Sequence, residues 1–227
     1  MTRFPWPSTR PRLAVLLLAL AAPAAGETLH YELDPVHTRV LFAVSHAGFS
    51  QALGTVSGSV GELDFDADDW SSARLQVAVP MTRLDLGDPE WNAAALGSRL
   101  LDAGTHPEAR FVSTTVTARD PSHAQVCGDL SLRGVTAPLC LEVTLNARKR
   151  HPMPPFRRTV GFSATATLER SAFGIDAWPA VIGNTVELRI EAEAVRRRND
   201  GEDTDDAPAP APSPSASEPP PTPLPKP

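Results

Sequence analysis

The feature that most constrains the fold is a run of alternating apolar and polar residues between Thr159 and Val195. Residues 186–194 read Val-Glu-Leu-Arg-Ile-Glu-Ala-Glu-Ala, so every second residue is apolar. Successive side chains of a β-strand point to opposite faces, and the pattern therefore predicts a strand with one buried and one solvated face. Residues 160–168 repeat the pattern. The two strands are predicted to pair antiparallel and to share one apolar face.

The apolar face of this strand pair carries small side chains. A solid core would place Leu or Ile at such positions, because larger apolar side chains fill the interior and gain more from burial. The small residues therefore predict an internal cavity beside the two strands. They are Ala164, Ala166, Ala192 and Ala194.

Both ends of the chain differ in composition from its middle. At residues 1–25, arginines precede a short apolar run and a small-residue segment, which is typical of a cleavable secretory signal peptide. That run is about half as long as a membrane-spanning helix requires, so we expect no spanning segment. Residues 196–227 pass from arginines through an acidic run to a Pro-rich tail, which predicts disorder. We therefore expect a periplasmic protein with one folded domain at residues 27–195.

The charge of the chain argues against nucleic acid as a partner. The formal net charge is -6 at pH 7, and removal of the cationic leader makes the remainder more acidic. Nucleic-acid-binding domains carry basic patches, often interleaved with aromatic residues, and the sequence shows no such patch.

Further segments with a period of two predict that the domain consists mainly of strands. Asp88 followed by Pro89 is typical of a helix N-terminus, with a capping carboxylate and a proline in the first turn. One short helix is predicted from Asp88 to Asp102. With the two strands above, we expect eight antiparallel strands. The other six are predicted at residues 38–46, 55–66, 75–81, 109–118, 125–133 and 139–148.

Eight antiparallel strands fit either a closed barrel or a two-sheet sandwich. The interior of an eight-stranded barrel is filled by side chains or holds one slender ligand. The small residues on the inward faces favour a barrel with a cavity. The predicted fold class is therefore all-β, an eight-stranded antiparallel barrel with a short helix.

The two cysteines, Cys127 and Cys140, lie in a predicted hairpin. Each is opposite in parity to the leucines of its own strand, which places both thiols on the same, more polar face. In an oxidising compartment such a pair can form a cross-strand disulfide. The geometry of the turn is not fixed by the sequence, so a disulfide and two unpaired thiols both stay open.

Four separated motifs occur together: DPVHTRVLFAVSH at 34–46, PEARFVST at 107–114, GDLSLRGVT at 128–136 and RSAFGI at 170–175. Their order and spacing resemble the YceI-like family of polyisoprenoid-binding proteins, over about Tyr31 to Ala194. The resemblance implies an exported, lipocalin-like eight-stranded barrel. It also implies that a long isoprenoid chain, sometimes that of a quinone, is held in an apolar tunnel.

One segment departs from the family pattern. Relatives usually have an Arg-Asp pair followed by a histidine or similar residue after the third strand, whereas residues 88–93 read Asp-Pro-Glu-Trp-Asn-Ala. Glu90, Trp91 and Asn92 therefore replace that pair near the expected tunnel mouth. The resemblance leaves the head group of the ligand open.

Aromatic and small apolar residues are the candidate tunnel lining. A tunnel of aromatic side chains with small gaps suits a methyl-branched polyene, and apolar burial at about 25 cal/mol per Å² supplies affinity without charged contacts. His46 shares a strand face with Phe42 and Val44, so it can meet a ligand head group. The predicted ligand-binding residues are Phe42, Val44, His46, Phe49, Phe65, Phe111, Phe162, Ala164, Ala166, Phe173, Trp178 and Leu188.

Catalytic and metal-binding motifs are missing from the sequence. Ser171 has no G-x-S-x-G context, and the histidines show no HExxH or HxH spacing. The aspartates between Asp64 and Asp69 lack the glycine and the closing glutamate of a calcium loop. We therefore predict no catalytic residue, no metal and no cofactor other than a bound lipid.

The sequence favours an exported binding or carrier protein for an isoprenoid lipid or isoprenoid quinone, and not an enzyme. Two other classes stay open. One is an enzyme that acts on a lipid or small ester through Ser171 or His46, and the other is a partner module for a membrane cytochrome. A homodimer is also left open.

Overall fold

The computed structural model describes residues 27–197. The predicted signal peptide and all but two residues of the predicted tail lie outside the described residues. Short 3-10 helices cover Trp70–Ser72, Met81–Arg83 and Arg170–Phe173, and the α-helix α1 covers Pro89–Leu96. The strands are β1 (Leu29–Leu33), β2 (Arg39–His46), β3 (Ser50–Ser57), β4 (Val60–Phe65), β5 (Arg74–Pro80), β6 (Leu84–Asp85), β7 (Glu108–Asp120), β8 (His123–Leu132), β9 (Val135–Arg150), β10 (Arg158–Glu169) and β11 (Ile182–Arg196).

Eight strands form a closed ring in the order β1-β4-β5-β7-β8-β9-β10-β11, and β11 pairs back with β1. Neighbouring strands in this ring are antiparallel. The ring closes where the first strand meets the last, with Tyr31 opposite Arg196 and Leu33 opposite Ala194. The predicted eight-stranded antiparallel barrel is therefore confirmed.

Strand β11 has two partners on the side away from β10. Residues 194–196 pair with β1, whereas residues 182–191 pair with β2. Strand β2 pairs in turn with β3, and β3 with the two-residue strand β6. These three strands lengthen the wall around the N-terminal part of β11. We call this end of the barrel, near Ile182, the mouth end, and the end near Arg196 the inner end.

The predicted pairing of the two alternating strands is confirmed. Strand β10 pairs with β11 along residues 159–169, with Phe162 opposite Ala192 and Ala166 opposite Leu188. The apolar residues of β11 face the barrel interior. Its polar residues face outward, where Arg189 and Glu191 form an ion pair with N···O 2.9 Å.

Several predicted strand limits are wrong. Strand β1 has no counterpart among the predicted strands, because five residues with one fully buried side chain, that of Tyr31, give too short a pattern. Residues 55–66 do not form one strand but belong to β3 and β4, since Gly58 turns the chain with φ of 78°. Strand β11 continues past residue 195, and the Arg197 N–H donates to the His30 carbonyl at 2.8 Å.

Helix α1 begins as predicted but ends early. The Asp88 carboxylate accepts hydrogen bonds from the backbone N–H groups of Glu90 at 2.9 Å and Trp91 at 3.0 Å. The helix ends at Leu96 and not at Asp102, because the backbone leaves the helical region at Gly97, with ψ of 163°. The following residues form turns that bring Leu100 and Leu101 toward the barrel.

Cys127 and Cys140 lie directly opposite each other on β8 and β9 and form a disulfide. Their side chains point to the outside of the barrel, as strand parity predicts, while those of Val126, Leu139 and Leu141 face the interior. The disulfide therefore joins two wall strands without entering the barrel.

Candidate ligand-binding cavity

The barrel encloses an apolar cavity of about 560 Å³. This volume lies within the range of about 300–1,000 Å³ that is usual for small-molecule sites. All eight ring strands contribute side chains to the wall, and so do β2 and β3. Nearly all of these side chains are apolar. The polar lining residues within the described chain are Thr38, Ser45, His46, Ser59 and Arg170.

Three aromatic side chains line the inner end of the cavity. Phe65, Trp70 and Phe162 meet edge to face, with ring centroids 5.0 Å apart for Phe65 and Trp70 and 5.5 Å apart for Phe65 and Phe162. Trp70 is buried and comes from a 3-10 helix whose N-cap, Asp69, accepts the Ser71 N–H at 3.0 Å. The inner end therefore offers apolar ring surface to a ligand.

Half-exposed aromatic residues line the mouth end, where the cavity reaches the protein surface. Trp91 of α1 lies beside His46 of β2, with ring centroids 5.3 Å apart. Trp178 lies in the segment before β11, and the guanidinium of Arg99 is 4.8 Å from its ring centroid. The cavity thus runs from a mouth with two tryptophans to an inner aromatic cluster.

Hydrogen bonds hold α1 at the mouth. The Asn92 side chain accepts from the Leu86 N–H at 2.7 Å and donates to the Asp85 carboxylate at 3.1 Å. Hydrogen bonds from the Gly87 N–H and the Asn92 side chain lower the pKa of Asp85 below its usual value. Asn92 therefore belongs to the local framework of the mouth, and Trp91, its neighbour, is the residue of this segment that lines the cavity.

Most of the predicted ligand-binding residues line the cavity. They come from both predicted strands and loops, and strand parity placed the strand residues on the inward face. They are Phe42, Val44, His46, Phe65, Phe111, Phe162, Ala164, Trp178 and Leu188.

Phe49, Ala166 and Phe173 do not belong to the cavity wall. Phe49 is 92% exposed at the tip of the β2–β3 turn, because the positive φ angles of Ala47 and Gly48 reverse the chain before it. Phe173 is buried in a separate core cluster at the mouth end. Ala166 shares the inward parity of Ala164 and packs against the core, but the space beside it belongs to a second pocket, where the pairing of β10 with β9 ends at Thr165.

The other predicted alanines differ in how much room they leave. Ala164, Ala192 and Ala194 all line the cavity. Ala164 and Ala194 are buried against neighbouring side chains, whereas Ala192 is only partly buried and lies opposite Phe162. Ala192 therefore marks open space beside the wall more clearly than the other two.

Several lining residues lie outside the predicted set. Val40 and Ile190 share the inward faces of Phe42 and Leu188, so strand parity was a sufficient signal for them. Most of the others also lie on regular strands, such as Val77 and Leu141. A smaller group lies on turns, helices and loops, where no periodic pattern shows which side faces the barrel. They include Trp70, Trp91, Leu100, Leu101 and Ile175.

Arg170 is the one charged residue among the described residues that line the cavity. It is only 5% exposed, and its guanidinium donates to the carbonyls of Gly183 at 2.9 Å, Ile175 at 2.6 Å and Ile182 at 2.9 Å. These bonds tie the 170–175 motif to the start of β11. Arg170 thereby fixes the segment that carries Trp178.

The candidate catalytic residues are not brought together. Ser171 is exposed, and its backbone N–H donates to the Asn184 side chain at 3.1 Å. His46 is the last residue of β2, and its ring lies against that of Trp91 in α1. Across residues 27–197, no group of three or more His, Cys, Asp or Glu side chains is arranged to hold a metal ion. In the same residues, no helix combines the length and the apolar character that crossing a bilayer requires.

The DPVHT segment forms a polar turn between β1 and β2. The Asp34 carboxylate accepts from the Val36 N–H at 2.8 Å and lies 2.7 Å from His37 Nδ1. Partial burial acts to raise the pKa of Asp34, but the hydrogen bonds from His37 and Val36 outweigh it, so the pKa lies below its usual 3.8. The same carboxylate raises the pKa of His37 above its usual 6.5.

A closed antiparallel barrel with an apolar cavity that opens at one end defines a class of barrels built around an internal ligand site. The YceI-like domain matches residues 31–194. The chain therefore belongs to the YceI-like family, as its motifs indicate. A UPF0312 protein of Pseudomonas savastanoi pv. phaseolicola is 33% identical over 190 residues, which cover 82% of this chain and 97% of that protein.

Solved structures support the same fold. Burkholderia cenocepacia BcnA matches with a TM-score of 0.63 at 22% sequence identity, covering 71% of this chain and 98% of that chain. A polyisoprenoid binding domain from Saccharophagus degradans, implicated in plant cell wall breakdown, matches with a TM-score of 0.56 at 12% identity, covering 75% of this chain and 100% of that chain.

Proposed function

We propose that the protein binds a long-chain isoprenoid lipid or isoprenoid quinone inside the barrel and carries it through the periplasm. The observation that carries this proposal is the apolar cavity, which runs from the two mouth tryptophans to the inner aromatic cluster. A ligand in such a space gains about 25 cal/mol for each Å² of apolar surface removed from water. Little of the wall offers a polar partner, so the ligand is mostly hydrocarbon.

The shape of the wall suits a branched chain better than a bulky ring system. The wall combines aromatic side chains such as Phe42, Phe111 and Phe162 with the small side chains of Ala164 and Ala192. Methyl branches fit beside small residues, while the double bonds of the chain lie against aromatic rings. The name of the Saccharophagus degradans neighbour, a polyisoprenoid binding domain, supports this ligand class by analogy.

The direct test is to identify what the purified protein carries. Protein purified without detergent is extracted with organic solvent, and the extract is analysed by mass spectrometry. We expect a series of compounds that differ by whole isoprene units, at up to one molecule per chain. Protein that has been delipidated and passed through the same procedure is the control. An extract that holds only bulk phospholipid, at the level of the control, would contradict the proposal.

Transport through the periplasm requires export, for which the arginine-led apolar leader at residues 1–25 is the supporting observation. Intact-mass analysis of the protein in a periplasmic extract tests this part separately. We expect a mature N-terminus near Ala25 or Glu27. A full-length chain confined to the cytoplasmic fraction would refute export and leave ligand binding untouched.

A further inference from the structure

The mouth of the cavity is surrounded by exposed apolar side chains, which we call the mouth rim: Phe49, Trp91, Trp178 and Val181. Phe49 is 92% exposed, and the other three are 40–44% exposed. Large apolar side chains clustered on the surface of a single domain mark a site of interaction. The rim is therefore a candidate contact surface.

Backbone contacts show that the rim is one continuous surface. The Phe49 N–H donates to the His46 carbonyl at 3.0 Å, and the Ala47 N–H donates to the Val181 carbonyl at 2.6 Å. The Val181 N–H donates to the Trp178 carbonyl at 2.9 Å. The Trp91 ring completes the set, because it lies against His46. All four rim residues are thus linked through the turns at the mouth end.

The rim is also continuous with the ligand cavity. Trp91, Trp178 and Val181 line the cavity and are exposed on the outside at the same time. Whatever covers the rim therefore faces the cavity opening directly. A ligand that enters or leaves by the mouth passes between these side chains.

The charges beside the rim do not favour a strongly charged partner. Arg99 lies against Trp178, while Glu90 and Asp176 are acidic neighbours of Trp91 and Trp178 in the sequence. The whole chain carries a formal net charge of -6. Such a surface suits a zwitterionic bilayer, because the bilayer interior is apolar and its interface carries no net charge.

We propose that the mouth rim docks onto a lipid bilayer, with Phe49 inserted among the acyl chains and Trp91 and Trp178 at the level of the head groups. Tryptophan favours this interfacial position because its ring is apolar and its N–H is polar. Docking places the cavity opening at the bilayer surface, so an isoprenoid chain moves between membrane and cavity without crossing water. This role rests on the proposed function and adds the place where the lipid is exchanged.

Phe49→Ser tests the proposal in protein purified from a periplasmic extract, because Trp6 and the apolar leader at residues 1–25 would themselves respond to vesicles. Binding to phosphatidylcholine vesicles is measured by flotation and by the blue shift of tryptophan fluorescence. We expect the wild type to bind, and Phe49→Ser to bind at least about tenfold more weakly, because one buried phenyl ring is lost. Met153→Ser is the matched control, since Met153 is 65% exposed in the turn between β9 and β10 at the other end of the barrel, and it should bind as the wild type does.

The salt dependence separates apolar insertion from attraction between charges. We expect binding to stay within about twofold when the ionic strength rises from about 0.05 to about 0.5 M, because screening acts on charges and not on apolar contacts. Binding that requires anionic lipid and disappears at high salt would overturn the proposal. Equal binding of Phe49→Ser and wild type would also overturn it.

Two further outcomes distinguish a failure of membrane docking from a failure of ligand binding. If the wild type carries isoprenoid lipid but ignores the vesicles, docking fails while the proposed function stands. If the wild type forms a dimer that Phe49→Ser abolishes, and neither protein floats with vesicles, the rim is an interface between two copies and docking is refuted. In each case the mass of extracted lipid reports on the function independently of the rim.

Discussion

At the scale of single residues, Ala192 is the most direct test of the cavity. It faces the interior opposite Phe162 and is only partly buried. In Ala192→Phe we expect the new ring to occupy ligand space, so that bound isoprenoid falls at least about tenfold while the ligand-free protein unfolds at nearly the same urea concentration. Lipid recovered per chain and urea unfolding measure the two effects.

Ala194→Phe is the matched comparison on the same strand face. Ala194 is 2% exposed, so the same ring overfills a packed site and should lower the free energy of unfolding by about 1–3 kcal/mol. If Ala192→Phe were destabilised as strongly and kept its ligand, Ala192 would lie in solid core and the cavity would be refuted as drawn.

The Asp34–His37 pair predicts a pH dependence of stability. The pKa of His37 is raised above 6.5. The contribution of His37 to the free energy of unfolding is therefore complete below pH 6.5 and is lost as the pH rises through the raised pKa. The pKa of Asp34 lies below 3.8, so its contribution is present above pH 3.8 and is lost as the pH falls through the lowered pKa. The pair therefore stabilises most between those two limits.

Because His37 is exposed, the change in unfolding free energy should stay below about 1 kcal/mol. Urea unfolding at about pH 5.5 and about pH 8.5 measures it, because these values bracket the titration of histidine. We expect the wild type to lose more stability than His37→Gln over this interval. Identical losses in both proteins would show that the pair does not stabilise the turn.

At the scale of the elements, strands with an uninterrupted period of two were predictable. Strands β10 and β11 keep their alternation over residues 160–168 and 186–194, so their faces and pairing follow from local sequence. The division of residues 55–66 into two strands could not be predicted from the period of two, because it depends on the left-handed turn at Gly58. Strand β1 is defined by its partners β4 and β11, which sequence periodicity does not show.

The same distinction applies to the cavity. Parity placed Phe42, Phe162 and Leu188 inside because they lie on regular strands. Phe49 and Phe173 lie outside the cavity wall because Phe49 is in a turn and Phe173 is in a 3-10 helix, where the direction of a side chain depends on tertiary packing. Trp70 and Trp91 were missed as lining residues for the same reason. The wall provided by strands is thus predictable, whereas both ends of the cavity are not.

The disulfide between β8 and β9 predicts a stability effect without a ligand effect. Replacing Cys127 and Cys140 by Ser should lower the free energy of unfolding by about 2–3 kcal/mol, because a cross-link that closes a short loop restricts the unfolded chain. Bound lipid per chain should not change, since both side chains lie outside the barrel. Wild-type protein unfolded in the presence of a reductant is the control and should match the double variant. Equal stability of oxidised and reduced protein would contradict this prediction.

At the scale of the whole molecule, ligand binding and folding are linked. A ligand that binds only the folded barrel raises the free energy of unfolding by about 2.7 kcal/mol when its free concentration is a hundred times its Kd. Adding a polyprenol to delipidated protein should therefore raise the melting temperature, whereas a short-chain alcohol at the same concentration should not. Calorimetry measures the shift. A melting temperature that is indifferent to the polyprenol would argue against a site inside the barrel.

The double pairing of β11 has a consequence for the timing of folding. This one strand closes the ring with β1, completes the hairpin with β10 and anchors β2, and it is the last strand within residues 27–197. Until Ile182–Arg196 has been made, those three strands keep open edges that invite pairing with other chains. A ring that joins its first strand to its last is also a slow structure to form, because the loop it closes spans nearly the whole domain. A chain that stops before Ile182 would therefore be an aggregation-prone open sheet and not a smaller barrel.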